Sequence, residues 1–400
     1  MELEITALAF GGKGVARVGE QVYLVAGALP GERVEAQLVG RRRGVVEASA
    51  RTILRPSPWR EPDPCPLAGT RCGGCDFAHV ALGFRELAYK AELAGALRGG
   101  PEALTAAVRE APFHPSPWGY RLRGSLHWQP PLLGFFAPRS HWVVSVEPCR
   151  VLSPGLVALL PVWAEALQQA GLPPGELRFL EDLAGEKRLV SFRGPAPKSL
   201  PPLPGVNGFW WSGKRGYGER ALELALPHPL QVPLGAFVQG NRFLLPRLWE
   251  LVAQYVRERG VRKVLDLYGG VGFFAAAAKA GGAQEVTVVE LSQLAAKTAG
   301  ANLPDARVLP VAAEVAVASG VLEGQEFVIL DPPRGGLSPA VRHAVGEAKA
   351  ESLLYVSCDP ACLARDAKVL VGSGWQVVRA ELFDLFAGTH HVELAVLFRR

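Results

Sequence analysis

From Asn241 onward, apolar and polar positions alternate in a repeating order of two patterns. "NRFLLPRLWELVAQYVRERG" spaces its apolar residues as one helical face and stops at Gly260, which predicts a helix. Short apolar runs and helix-like stretches then take turns. They are "KVLDLYGG", "FFAAAAKAGG", "EVTVVE", "LAAKTAGANL", "FVILD", "SPAVRHAVGEA" and "SLLYVS". Strands alternating with helices predict a parallel, doubly wound, Rossmann-like sheet, and residues 236–400 are assigned to this C-terminal domain.

The earlier part of the chain has a different rhythm. Residues 1–56 alternate apolar with polar positions between Gly and Pro turns, as in "QVYLVAGALPGERVEAQLVG", and predict a small β-barrel. Arg41, Arg42 and Arg43 fall between its strands, either as a solvated loop or as a phosphate contact. The Pro-rich stretch "RPSPWREPDPCP" reads as a linker. Residues 57–235 follow as a mixed α/β domain, with a helix around "LGFRELAYKAELAGAL" and strand-like pieces such as "GSLHW" and "HWVVSVEPC". The multidomain expectation is therefore a small barrel, a central α/β domain and a doubly wound C-terminal domain.

Composition narrows the class. The chain has 400 residues, 49% of them hydrophobic and 20% charged, as in an ordinary globular protein of several domains. It contains no apolar run long enough to span a membrane, and "MELEITALAF" does not read as a signal peptide. A cytoplasmic location is expected. A net charge of +5 permits nucleic-acid binding without requiring it.

Candidate chemistry gathers where strands end. Asp266 and the turn with Gly269, Gly270 and Gly272 close the first strand, and Glu290 closes the next. The glycines let backbone approach a ligand, and an acid at the second strand end commonly grips ribose hydroxyls, so a nucleoside-bearing ligand is favoured. The spacing departs from the dinucleotide GxGxxG. Asp331 ends another strand, and Pro332 and Pro333 force the chain out of the sheet.

Cys358 follows "SLLYVS" at the same rim. Asp359 reads as an N-cap and Pro360 as the first helical residue, so Cys358 lies at a helix mouth, where the dipole favours thiolate. Cys362, one turn inside, is expected to pack. In "HHVELAVLF", Glu393 shares a face with His391, Ala395 and Leu397. It is either a buried acid with a task or the exposed start of a strand. The other cysteines are Cys65, Cys72, Cys75 and Cys149. Their C-x2-C core, with Gly73 and Gly74 inside, is a metal signal open to zinc or to an iron–sulphur cluster.

Taken together, "FVQGN", "DLYGGVG", "DPPRGGL", "SCDPACLARD" and "HHVEL" resemble the motifs of the RNA uracil-5-methyltransferase family. The chain is similar to that family's iron–sulphur members, with residues 1–56 resembling a TRAM barrel and Tyr120 to Cys149 resembling the central domain. The resemblance implies an S-adenosylmethionine-dependent RNA methyltransferase, with Gln239, Tyr268, Glu290 and Asp331 at the cofactor. It implies Cys358 as the nucleophile that adds to C6 of uracil and Glu393 as the base that removes the C5 proton. Asn241 also matches a motif position and doubles as a candidate cap. A [4Fe–4S] cluster on Cys65, Cys72, Cys75 and Cys149 is implied, structural rather than redox-active. The expected partner is RNA, 23S rRNA before tRNA, bound by a monomer. Three positions depart from the family pattern: Asp359 for Asn, Cys362 for Thr and Ala78 for Gln. The charge of Asp359 is expected to raise the pKa of the neighbouring thiol.

Other readings fit less well. A radical methylthiotransferase needs C-x3-C-x2-C, whereas C-x6-C-x2-C stands here. An amino-group methyltransferase would carry an aromatic after "DPP", where Arg334 stands. A non-catalytic RNA-binding protein would not need Cys358 and Glu393. Formation of 5-methylcytidine is the nearest alternative within the same chemistry.

Overall fold

A computed structural model describes residues 1–42, 44–61, 65–68, 71–212 and 214–400. Arg43 and residues 62–64 of the expected linker therefore lie outside the described residues.

The C-terminal pattern folds as its periodicity predicts. Its strands are β1 (Lys263–Leu267), β2 (Glu285–Val289), β3 (Arg307–Leu309), β4 (Phe327–Leu330), β5 (Ser352–Ser357), β6 (Gln376–Phe383) and β7 (Glu393–Arg399). The order across the sheet is β3-β2-β1-β4-β5-β7-β6. Strands β1 to β5 pair in parallel, and β7 inserts antiparallel between β5 and β6. The helices are α1 (Leu245–Arg259), α2 (Phe273–Gly281), α3 (Gln293–Asn302), α4 (Ala313–Ala318), α5 (Pro339–Glu347) and α6 (Pro360–Gly372). Every residue of β4 and β5 is buried, which explains their continuous apolar runs: helices cover both faces of such a sheet. Strand order reverses between β1 and β4, and the carboxyl ends beside such a reversal form the usual ligand crevice.

Two pieces from earlier in the chain complete this unit. Phe113–His114 adds an outermost parallel strand beside β6. Helices Arg85–Ala96 and Glu102–Glu110 bury Tyr89, Leu93, Leu104 and Val108 in one cluster with Leu363, Ala364 and Leu370 of α6. The hairpin Ala221–Leu224 with Leu230–Pro233 contributes Leu222, Leu224, Leu230 and Val232 to the core on the other face. Packing thus crosses the chain positions at which composition changes.

Residues 2–55 form a six-stranded sheet among the described residues, with Leu3, Ile5, Ala16, Val25 and Val34 in its own core. Leu8 and Leu29 leave that core and pack with Phe77 and Tyr89, which joins the sheet to the C-terminal unit. A seven-stranded sheet spans residues 123–218, and helix Pro154–Gln169 packs Leu156, Leu160 and Trp163 into its core. Among the described residues, no helix is long and apolar enough to cross a membrane.

Candidate active site at the carboxyl rim

The turn after β1 is shaped by steric necessity. A Cβ on Gly269 would sit 2.6 Å from the Val288 side chain and 3.0 Å from Asp266 Oδ2, so no larger residue fits. Tyr268 takes φ 66°, a conformation that non-glycine residues rarely adopt and that clusters at functional sites. Burial pushes its phenol up to about 12, with Glu314 adding to the effect. Asp266 is fully buried. Its Oδ2 accepts from Ala275 N at 3.0 Å, which ties the turn to α2, while Oδ1 has no partner among the described residues. Burial holds this carboxyl well above the usual range.

Glu290 closes the other side of the cradle. Its two oxygens accept from Gly270 N at 3.0 Å and Ser292 N at 2.6 Å. Each carboxylate oxygen keeps a free lone pair, so hydroxyl donors can still bind. Gln239 Nε2 donates to Asp331 Oδ2 at 3.1 Å, which brings the "FVQGN" and "DPPR" segments together. Phe237 lies 57% exposed beside them, with the Arg123 guanidinium 4.7 Å from its ring centre. Tyr268, Glu290 and Asp331 thus follow the neighbouring carboxyl ends of β1, β2 and β4, and Gln239 is tied to Asp331.

Cys358 and Glu393 meet at the same rim. Ser357 pairs with Leu394 across β5 and β7, so one more step of that register sets Cys358 opposite Glu393. Glu393 is buried, its Oε2 has no partner among the described residues, and burial followed by the charge of Asp331 pushes it well above the usual carboxylate range. The exposed-strand reading of Glu393 is excluded. Burial pushes the Cys358 thiol up to about 12, aided by Glu393 and Asp331 and opposed by Arg334. This corrects the expectation of a dipole-stabilised thiolate: in the ligand-free protein, desolvation and two acids outweigh the helix terminus.

Asp359 is also corrected. It caps α6, its carboxylate accepting from Cys362 N at 2.8 Å, and the thiol it raises is that of Cys362 rather than Cys358. Cys362 is partly exposed and packs on the turn at Gly336. Asn241 is wholly buried and works as a joint. Its Nδ2 donates to Ser116 Oγ and to the carbonyls of Asp384 and Leu385, and its Oδ1 accepts from Phe243 N and Leu244 N. Arg334 is the functional neighbour that sequence reasoning used only to separate families. Its position in "DPPR" was the available signal.

The four remaining cysteines lie near one another. The charge of Cys65, Cys72 and Cys149 acts on Cys75, and Arg121 opposes them. Burial is the first cause raising Cys72, Cys75 and Cys149, with Cys75 reaching about 12. Among the described residues, however, no group of three or more His, Cys, Asp or Glu side chains is gathered closely enough to hold a metal ion. The expected four-thiol metal site is thus present as a neighbourhood and not as a closed ligand set.

Comparisons with known proteins give the family. A family model described as tRNA (Uracil-5-)-methyltransferase matches residues 322–400, the segment carrying Asp331, Cys358 and Glu393. The 23S rRNA (uracil(1939)-C(5))-methyltransferase RlmD of Pseudomonas putida is 33% identical, over 99% of this chain and 93% of that protein. The chain belongs to the RNA uracil-5-methyltransferase family. The RlmD protein of Chromohalobacter salexigens is 32% identical over 100% of this chain and 89% of its own length. An uncharacterized RNA methyltransferase of Gloeobacter violaceus is 30% identical, over 99% of this chain and 95% of that protein. The fold matches the crystal structure of Pyrococcus abyssi tRNA (uracil-54, C5)-methyltransferase in complex with S-adenosyl-L-homocysteine, with a TM-score of 0.78 at 22% identity and full coverage of both chains.

Proposed function

We propose that this protein methylates C5 of uridine in 23S rRNA, with S-adenosylmethionine as methyl donor. The observation that carries the reading is the meeting of Cys358 and Glu393 across the β5–β7 register beside Asp331. A thiol and a carboxylate at one point suit addition to a pyrimidine followed by removal of its C5 proton.

The acids at the strand ends fit the donor. Glu290 retains acceptor capacity for ribose hydroxyls, and Asp331, held by Gln239, supplies negative charge for a sulfonium. When bound, S-adenosylmethionine supplies a methyl group on a positively charged sulfur. The protein's residues carry the remaining tasks. The Cys358 thiolate adds to C6 of a uracil flipped out of its stack, and the ring electrons move to C5 and the O4 enolate. Once C5 carries the methyl group, Glu393 takes the C5 proton. The C–H electron pair restores the C5=C6 bond, and the C6–S bond breaks to return thiolate. Arg334, the cation opposing the two acids at Cys358, favours that thiolate.

Residues 1–56 act in this proposal as a TRAM-type RNA-binding module. Its support is the exposed basic end of strand Arg33–Arg42, with Arg41 and Arg42 facing solvent. Cys65, Cys72, Cys75 and Cys149 are read as ligands of a structural [4Fe–4S] cluster. The support is their donor chemistry, their mutual electrostatic reach and the nearby Arg121. Iron and acid-labile sulfide in protein purified without oxygen test this; their absence, or zinc in their place, overturns it.

The substrate is tested by incubating the protein with S-adenosylmethionine and separately with undermethylated 23S rRNA and tRNA. The nucleosides are then identified by mass spectrometry. 5-Methyluridine in 23S rRNA is expected. Its appearance in tRNA alone, or 5-methylcytidine as the product, overturns the assignment.

A further inference from the structure

The turn between β6 and β7 leads directly into Glu393, and it is held from outside the catalytic unit's own sheet. Asp384 accepts from Arg85 Nη1 and Tyr89 Oη, both at 2.8 Å. Tyr120 Oη donates to the Ala387 carbonyl at 3.0 Å, and Tyr89 Oη also lies 2.9 Å from the Thr389 carbonyl. The segment around the C-x2-C motif adds further contacts. Phe77 N donates to the Gly388 carbonyl at 2.9 Å. Asp76 takes His390 at two points, accepting from its backbone N at 2.9 Å and contacting its ring Nδ1 at 2.6 Å. Gly388 has φ 86°, and a Cβ there would meet Trp118 at 3.0 Å and Cys75 Sγ at 3.4 Å, so the turn and the cysteine segment are fitted to each other.

Glu393 needs such support. Among the described residues no partner fixes its buried Oε2, so the placement of the backbone that carries it bears on the aim of its carboxylate. The N-terminal sheet reaches the same place: Phe10 meets the His390 ring edge-on at 5.6 Å. His390 is thus a hub where the cysteine segment and the RNA-binding sheet both press on the turn before the base.

We propose that Asp76, through His390, is a positioning residue for Glu393, so that the cysteine segment controls proton removal from C5 and not only the docking of RNA. The inference rests on the covalent mechanism proposed above. In that mechanism, poor placement of Glu393 leaves addition intact. The proton then stays on C5, the C6–S bond cannot break, and the enzyme remains joined to methylated RNA.

The test uses the full-length protein carrying Asp76→Ala, Asp76→Asn or His390→Ala. The last variant leaves the neighbour of Cys75 untouched. Two rates are measured: adduct formation with 5-fluorouridine RNA, which reports addition, and product release from natural RNA. Asp76→Ala and His390→Ala are expected to add at the wild-type rate, to accumulate adduct on natural RNA, and to release product on the order of tenfold to a hundredfold more slowly, the scale of small misplacements of catalytic groups. Asp76→Asn, which keeps an acceptor for His390 N–H, should recover part of the loss. Addition and release falling together, or release remaining at the wild-type rate, overturns the proposal. If the wild type itself traps no 5-fluorouridine RNA, the covalent reading falls first and this inference with it.

Discussion

Cys358 and Glu393 face each other at the ends of neighbouring antiparallel strands, one step beyond the Ser357–Leu394 pair. The pairing has a cost for the thiol. Burial, Glu393 and Asp331 push it up to about 12, so the ligand-free protein holds Cys358 protonated. Alkylation of Cys358 by iodoacetamide should therefore be slow at neutral pH and still rising above pH 9. Glu393→Gln removes the larger of the two acidic contributions at the thiol and should move that rise to lower pH. Mass spectrometry of the Cys358 peptide across a pH series measures both effects; a rate that levels off by pH 7 contradicts them.

Asp331 makes stability depend on pH. Burial raises its carboxyl from an ordinary value of 3.8 to about 7, against the opposing hydrogen bond from Gln239. Between those values the folded protein keeps a proton that the unfolded chain has lost. The contribution of Asp331 therefore falls as pH rises through that window and is most unfavourable above it. Asp331→Asn should raise the melting temperature at pH 8 and leave it unchanged near pH 4. Thermal unfolding at the two pH values checks this, and an equal shift at both would contradict it.

Asp366 anchors the "DPPR" loop from α6. Wholly buried, it accepts from Leu337 N, Tyr355 Oη, Arg342 Nη1 and Arg365 Nε, each at 2.8 Å. Asp366→Ala leaves buried donors and a guanidinium unpaired, and should cost about 3–5 kcal/mol. Urea unfolding measures the loss; a change below about 1 kcal/mol would mean that the loop holds itself.

The parts of this site legible in the sequence are those written locally. Strand ends carrying Asp266, Glu290, Asp331 and Cys358 follow from apolar runs meeting polar turns, and Asp359 with Pro360 marks the start of α6. What stayed hidden depends on contacts between distant residues. Arg85 and Tyr89 reach Asp384 from nearly three hundred positions away, and no periodicity records that. Phe113–His114 is too short to announce itself as a strand of the C-terminal sheet. The burial of Glu393 was undecidable because "HHVELAVLF" alternates in the same way at an edge or in the middle of a sheet, and only the β5-β7-β6 order settles it. The state of Cys358 is hidden from the sequence for a related reason: the helix mouth is local, whereas Glu393 and Asp331 arrive from other strands.

The most direct measurement is the trapping of Cys358 on RNA. Fluorine at C5 cannot leave as a proton, so incubation with S-adenosylmethionine and 5-fluorouridine-substituted 23S rRNA should stop the enzyme as a covalent complex stable to denaturation. Mass spectrometry should locate the link at Cys358, and Cys358→Ala should give none. A wild-type protein that forms no adduct, or a Cys358→Ala variant that forms as much, would contradict the covalent mechanism.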